Sequence, residues 1–156
     1  MKDCVFCNNK EPIITENEYW YAIYDKYPVS KGHTLLISKR HVPSFFDLTS
    51  EETRQIHSMI KRIRCKLDTT CFPNGYNIGV NCGRSAGQTI PHCHIHIIPR
   101  YDNDVNDPTG GVRGVIPNKQ NYRIRKETSN TAITEPTNKL RQKNANHGIK
   151  WTNEDD

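Results

Sequence analysis

GQTIPHCHIHIIPR, running from Gly87 to Arg100, is the stretch on which the fold turns. Its centre, His92-Cys93-His94-Ile95-His96-Ile97, alternates imidazole with apolar side chains at a strict period of two, the mark of a half-buried strand. On a strand, residues two apart point the same way. His92, His94 and His96 are therefore expected to line one face, about 6–7 Å apart, while Cys93, Ile95 and Ile97 pack into a core. A helix would rotate His94 away from its neighbours, and Ile97-Ile98-Pro99 suits a strand end. Three of the chain's seven histidines fall within these five residues. A polar strand face alone does not call for that. A row of imidazoles offers metal ligands, or acid, base and nucleophile near neutral pH.

Outward from this strand, the chain reads as strand, strand, helix, strand, strand. Glu18–Asp25 is aromatic and alternating, and His33–Ile37 is apolar and β-branched, with a turn at Tyr27–Gly32 making them a hairpin. Thr49-Ser50-Glu51-Glu52 is a capping box. The helix it opens is expected to run to about Leu67, with Ile56, Ile60, Ile63 and Leu67 as its apolar stripe. Tyr76–Val80 is the next strand, and Asn81–Gly87 is a tight loop leading into the histidines. The order fits an α+β fold: an antiparallel sheet of about five strands with one main helix on a face. Gly110-Gly111-Val112-Arg113-Gly114 matches no phosphate-loop spacing and reads as a flexible loop from which Arg113 reaches toward a phosphate. Asp102, Asp104 and Asp107 lack the spacing of a calcium loop.

Cys4-Val5-Phe6-Cys7 supplies half of a tetrahedral metal site or a small buried hook, and His41 and His92 are candidates for the missing ligands. The 156 residues allow one domain with a real core. The formal charge of +5 divides into +2 over residues 1–118, with 14 basic and 12 acidic side chains, and +3 beyond. A nearly neutral core excludes the strong basic stripe of a dedicated nucleic-acid binder. No apolar run approaches membrane-spanning length, so a cytoplasmic protein with reduced cysteines is expected. Residues 123–156 are polar, basic and aperiodic and read as an extended or partly disordered tail on a domain of residues 1–122. Trp151 is the exception and is expected to dock on the domain or a partner subunit.

The run from Gly87 to Arg100, with GYNIGVNCG and KGHTLLISKRHV before it and GGVRGVIP after it, resembles the signature of the histidine triad (HIT) family. The resemblance implies a nucleotide hydrolase that releases a nucleoside monophosphate from a dinucleoside polyphosphate or a nucleoside phosphoramidate, acting as a homodimer. It assigns His94 as the nucleophile toward the α-phosphorus, His96 as a donor to the phosphate, His33 as the histidine behind them, and Gln88 as a phosphate or leaving-group contact. It places Asp25 on the ribose, Val5, Phe6 and Ile23 at the base, and Asn81, Gly87 and Thr89 on the phosphate side. Some relatives carry zinc in the positions of Cys4, Cys7, His41 and His92, which implies one structural zinc per chain. The transferase branch has glutamine where this chain has His96, so the resemblance favours hydrolysis. Two other readings stay open: a zinc hydrolase using the triad as ligands, and a deadenylating module acting on nucleic acid.

Overall fold

The computed structural model describes residues 4–123, and the tail with Trp151 lies outside them. Five strands, β1 (Thr15–Glu16), β2 (Trp20–Tyr24), β3 (Thr34–Ser38), β4 (Gly75–Gly79) and β5 (His94–Arg100), form one antiparallel sheet in the order β1-β2-β3-β5-β4. A single long helix, α1 (Ser50–Thr70), covers one face. The expected α+β sheet is borne out, with β1 as a short strand that the sequence pattern does not announce.

Alternation along the strands divides the interior in two. Trp20, Ala22, Leu36, Ile95 and Ile97 join Met59, Ile63 and Leu67 of α1 in one core. Tyr21, Ile23, Leu35 and Ile37 form the other with Phe6 from the N-terminal segment. His33, His94 and His96 share the strand parity of this second face. Burial of the aliphatic residues on both sides is the main force holding β5 in register, since a one-residue slip would drive both histidines into the helix side.

The capping box forms as expected: Thr49 Oγ1 accepts from Glu52 N at 3.2 Å, and Thr49 N donates to Glu52 Oε2 at 2.7 Å. Arg40 adds two bonds to the same buried carboxylate. Together these partners hold the Glu52 carboxyl at about 2. The helix runs one turn beyond Leu67. Thr69 and Thr70 hydroxyls donate to Lys66 O, Asp68 accepts from Tyr76 Oη, and the left-handed Phe72 before Pro73 ends it. Its deepest residues are Met59, Ile63 and Leu67, whereas Ile56 and Ile60 are only partly buried. All four residues of the expected stripe thus face the core, with Ile63 and Leu67 deepest and Met59 joining them there.

Gly32, in the β2–β3 turn, has φ of +84°, and a Cβ there would lie 2.9 Å from Cys71 Sγ and 3.1 Å from Leu67. Only glycine fits that turn against the helix end. The segment expected as a flexible loop is ordered instead: Gly111–Val115 is a 3-10 helix entered through Gly110 at φ 85°. Arg113 Nε donates to Gln120 O and its guanidinium stacks on Tyr122, so the side chain does not extend toward the histidines.

Candidate active site and metal group

The two strands flanking the turn at Gly32 bring Asp25 and His33 beside β5. His96 pairs across the backbone with Leu35, and His94 with Ile37. His94 is 7% exposed. Its Nδ1 lies 2.7 Å from the carbonyl oxygen of His92. A carbonyl can only accept, so the proton sits on Nδ1 and the lone pair on Nε2. A neutral imidazole held this way presents a nucleophile without further activation.

The protonation of His96 follows from the group behind it. Its Nδ1 is 3.0 Å from His33 Nε2. At His33 Nδ1, the backbone N–H of Val29 donates from 3.3 Å. That leaves the proton on His33 Nε2, which donates to His96 Nδ1, and the proton of His96 on its outer nitrogen. Asp25 Oδ2 also lies 3.4 Å from His33 Nδ1 and competes for that nitrogen, so this tautomer rests on the Val29 contact. One strand face therefore offers a lone pair at His94 next to an N–H donor at His96, with the two rings 5.2 Å apart.

Burial pushes His33 down, opposed by Asp25. Burial, with His94 and His33 adding to it, lowers His96 to about 4. His96 therefore stays neutral through the physiological range. The folded state then binds fewer protons than the unfolded chain below the free-histidine value near 6.5, so stability falls as pH drops from there toward 4. Thermal melts at pH 6.5, 5.5 and 4.5 should show a declining Tm, and His96→Gln should decline less steeply. Parallel slopes for the two proteins would contradict the buried neutral His96.

His92 departs from the expected row. It precedes β5, is fully buried, and its ring turns toward the N-terminal segment. His92 Nδ1 lies 3.3 Å from Cys4 Sγ, 3.6 Å from Cys7 Sγ and 3.2 Å from His41 Nδ1, while Cys7 Sγ is 3.2 Å from His41 Nδ1. All four donor atoms lie within 4.8 Å of one another. Tetrahedral zinc with bonds of about 2.0–2.3 Å requires donor–donor edges of roughly 3.3–3.8 Å. The set fits. His92 Nε2 lies 2.7 Å from the Ser38 carbonyl, which fixes the proton there and turns the Nδ1 lone pair toward the cysteines, as a metal-bound histidine needs. Asp25, His33 and His96 also bring donor atoms within 4.8 Å. The two rings there already satisfy each other by a hydrogen bond.

The loop before the triad is held by its own hydrogen bonds. Gln88 braces the loop: Oε1 accepts from Gly83 N, and Nε2 donates to Pro43 O and Ile90 O. Gly87 has φ of +84° and its N–H donates to Arg84 O, while Thr89 is exposed. Asn81 instead joins His33 and His96 in a cleft of about 360 Å³ walled by Val29, Ile78 and Val112. A larger cleft of about 570 Å³ holds Phe6, Ile23, Asp25 and Leu35, together with Val5, Asn9 and Tyr27. The Phe6 ring stands 5.0 Å from His94. Sequence reasoning did not find Asn9, Tyr27 or the Ser38 carbonyl, which acts through its backbone and leaves no side-chain signal.

Comparison with known proteins gives consistent relatives. The HIT domain family model matches residues 7–103. An uncharacterized HIT-like protein of Mycoplasma genitalium is 37% identical over 80% of this chain and 87% of its own length. An AP-4-A phosphorylase of Mycobacterium tuberculosis is 32% identical over 67% of this chain and 55% of its own length. Among solved structures, a zinc-bound histidine triad family protein of Mycobacterium smegmatis aligns with a TM-score of 0.60 at 33% identity, covering 66% of this chain and 78% of that one.

Proposed function

The chain belongs to the HIT domain family, and from that premise we propose that it is a nucleotide hydrolase working through a covalent nucleotidyl intermediate on His94. The observation that carries this reading is the pair of hydrogen bonds behind the strand face: the buried bond from His94 Nδ1 to the His92 carbonyl, which turns a lone pair outward, and the part-buried bond between His33 and His96, which leaves His96 a donor. His94 Nε2 attacks the α-phosphorus as the bond to the leaving group breaks. His96 Nε2–H donates to the phosphate oxygens and stabilises the charge that develops there, and the departing atom takes any proton it needs from solvent. Water then opens the phosphorus–nitrogen bond, releases the nucleoside monophosphate and restores His94.

The 570 Å³ cleft is large enough for a nucleoside, with Phe6 and Ile23 against the base and Asp25 at the ribose. The cleft on Asn81 and His96 takes the leaving group, from a dinucleoside polyphosphate or a phosphoramidate. By the family resemblance, histidine at position 96 favours water over phosphate as acceptor. Cys4, Cys7, His41 and His92 would hold one zinc ion. Four protein donors leave no open position, so the metal pins the N-terminal turn and takes no part in the chemistry.

Residues 1–122 are proposed as the catalytic unit. The edge of β4, with Ile78 43% exposed, is proposed as the seam of a homodimer. All six cysteines are free, which suits a reducing, cytoplasmic setting. Among the described residues, no helix is long and apolar enough to cross a membrane.

The test is AMP release from diadenosine polyphosphates and adenosine phosphoramidate, together with brief mixing with α-³²P-labelled substrate. Acid-labile label on His94 is the expected result. Turnover with label absent at every quench time would point to direct attack by water and end the covalent reading.

A further inference from the structure

The residues that hold the metal group also build a wall of the larger cleft. Cys4 begins a single tight turn closed by Asn8 N–H donating to Cys4 O at 3.1 Å. Cys4, Val5, Phe6, Asn8 and Asn9 face the cleft from this turn, opposite Ile23, Asp25 and Leu35 of the sheet. One side chain, Cys4, is therefore both a metal donor and a wall residue.

Phe6 lies between the two cysteines in sequence and between the two sites in space. Its ring packs edge-on against His92, at 5.7 Å, and tilted against His94, at 5.0 Å. Its carbonyl accepts from Tyr21 Oη at 2.6 Å. The turn is thus tied to the sheet by this hydrogen bond and by the packing of one ring. A cation shared by Cys4, Cys7, His41 and His92 adds a tie at each end of the same four-residue segment.

We propose that metal occupancy of this group and nucleoside occupancy of the cleft are thermodynamically linked, with Phe6 as the residue that couples them. The proposal rests on the nucleotide reading of the cleft. A turn pinned by the metal is held in the conformation that forms the wall. Without metal, that conformation is one of several, and the apparent dissociation constant for the nucleoside rises by the reciprocal of its population. Linkage is reciprocal, so a bound nucleoside must hold the metal more tightly by the same factor. Site-to-site coupling of this kind is typically 5–150-fold.

The measurements use the full-length, zinc-loaded protein. Zinc release into an excess of chromophoric chelator is followed with saturating AMP, with inorganic phosphate, and with neither. AMP affinity is then measured by calorimetry before and after the metal is stripped. AMP should slow release by about tenfold, and stripping should weaken AMP binding by a similar factor. Phosphate should leave release unchanged, because it does not reach the wall. Phe6→Ala should still bind one zinc, and its release should respond to AMP by less than about twofold.

Release that AMP does not slow overturns the proposal, and that arm needs no folded metal-free protein. Equal slowing by phosphate also overturns it, since the effect would then come from the histidine side. Zinc-loaded protein that fails to bind AMP removes the nucleotide reading of the cleft, and the linkage falls with it. Protein that binds AMP but no zinc removes the metal assignment, with the same consequence, while leaving the nucleotide reading in place.

Discussion

His94→Ala is expected to lose on the order of 10⁴-fold or more in kcat, the scale on which removing a covalent nucleophile acts. The variant should fold normally. The lost ring contacts are with Phe6 and His96, and the backbone pairing of residue 94 with Ile37 is untouched. His96→Ala should lose less, of the order of 10²–10³, as for one donor to developing charge. The ordering matters more than either number. An alanine at 94 with near-native turnover would end the nucleophile assignment, and equal losses at 94 and 96 would favour a role for both as ligands or donors.

Cys4→Ser combined with Cys7→Ser is the second large effect, and it falls on stability. A metal present at a thousand times its dissociation constant contributes about 4 kcal/mol. Its loss should lower Tm by on the order of 10–20 °C in a unit of this size. Elemental analysis should find about one zinc per chain in the wild type and in His94→Ala, and none in the double variant. Below its melting point the double variant should retain measurable turnover, since His94 is not among the four donors. Zinc lost from His94→Ala but retained without the cysteines would instead favour a catalytic metal on the triad.

The sequence by itself determined the sheet, the helix and the face on which the chemistry sits. Period-two alternation through Cys93, Ile95 and Ile97 forces His94 and His96 to the opposite side, and the register of β3 on β5 sets Leu35 and Ile37 beside them. The capping box at Thr49 is equally local: its hydrogen bonds span three residues, so the letters suffice.

Only the tertiary structure decided what depends on contacts far apart in the chain. His92 looks like the first of three equivalent histidines. Its ring instead faces Cys4, 88 residues away, and the Ser38 carbonyl, so the three histidines divide in space into a pair and one that joins the candidate metal group of Cys4, Cys7 and His41. Gln88 and the Gly87 amide, phosphate contacts by resemblance, also take part in loop hydrogen bonds that no spacing encodes. The tautomers of His94 and His96 rest on partners contributed by a backbone carbonyl and by Val29 N–H through His33, groups every residue possesses and no side-chain pattern reveals. Alternation fixes direction because covalent geometry carries it from residue to residue. Partnership depends on where distant backbone arrives, and only the packed sheet sets that.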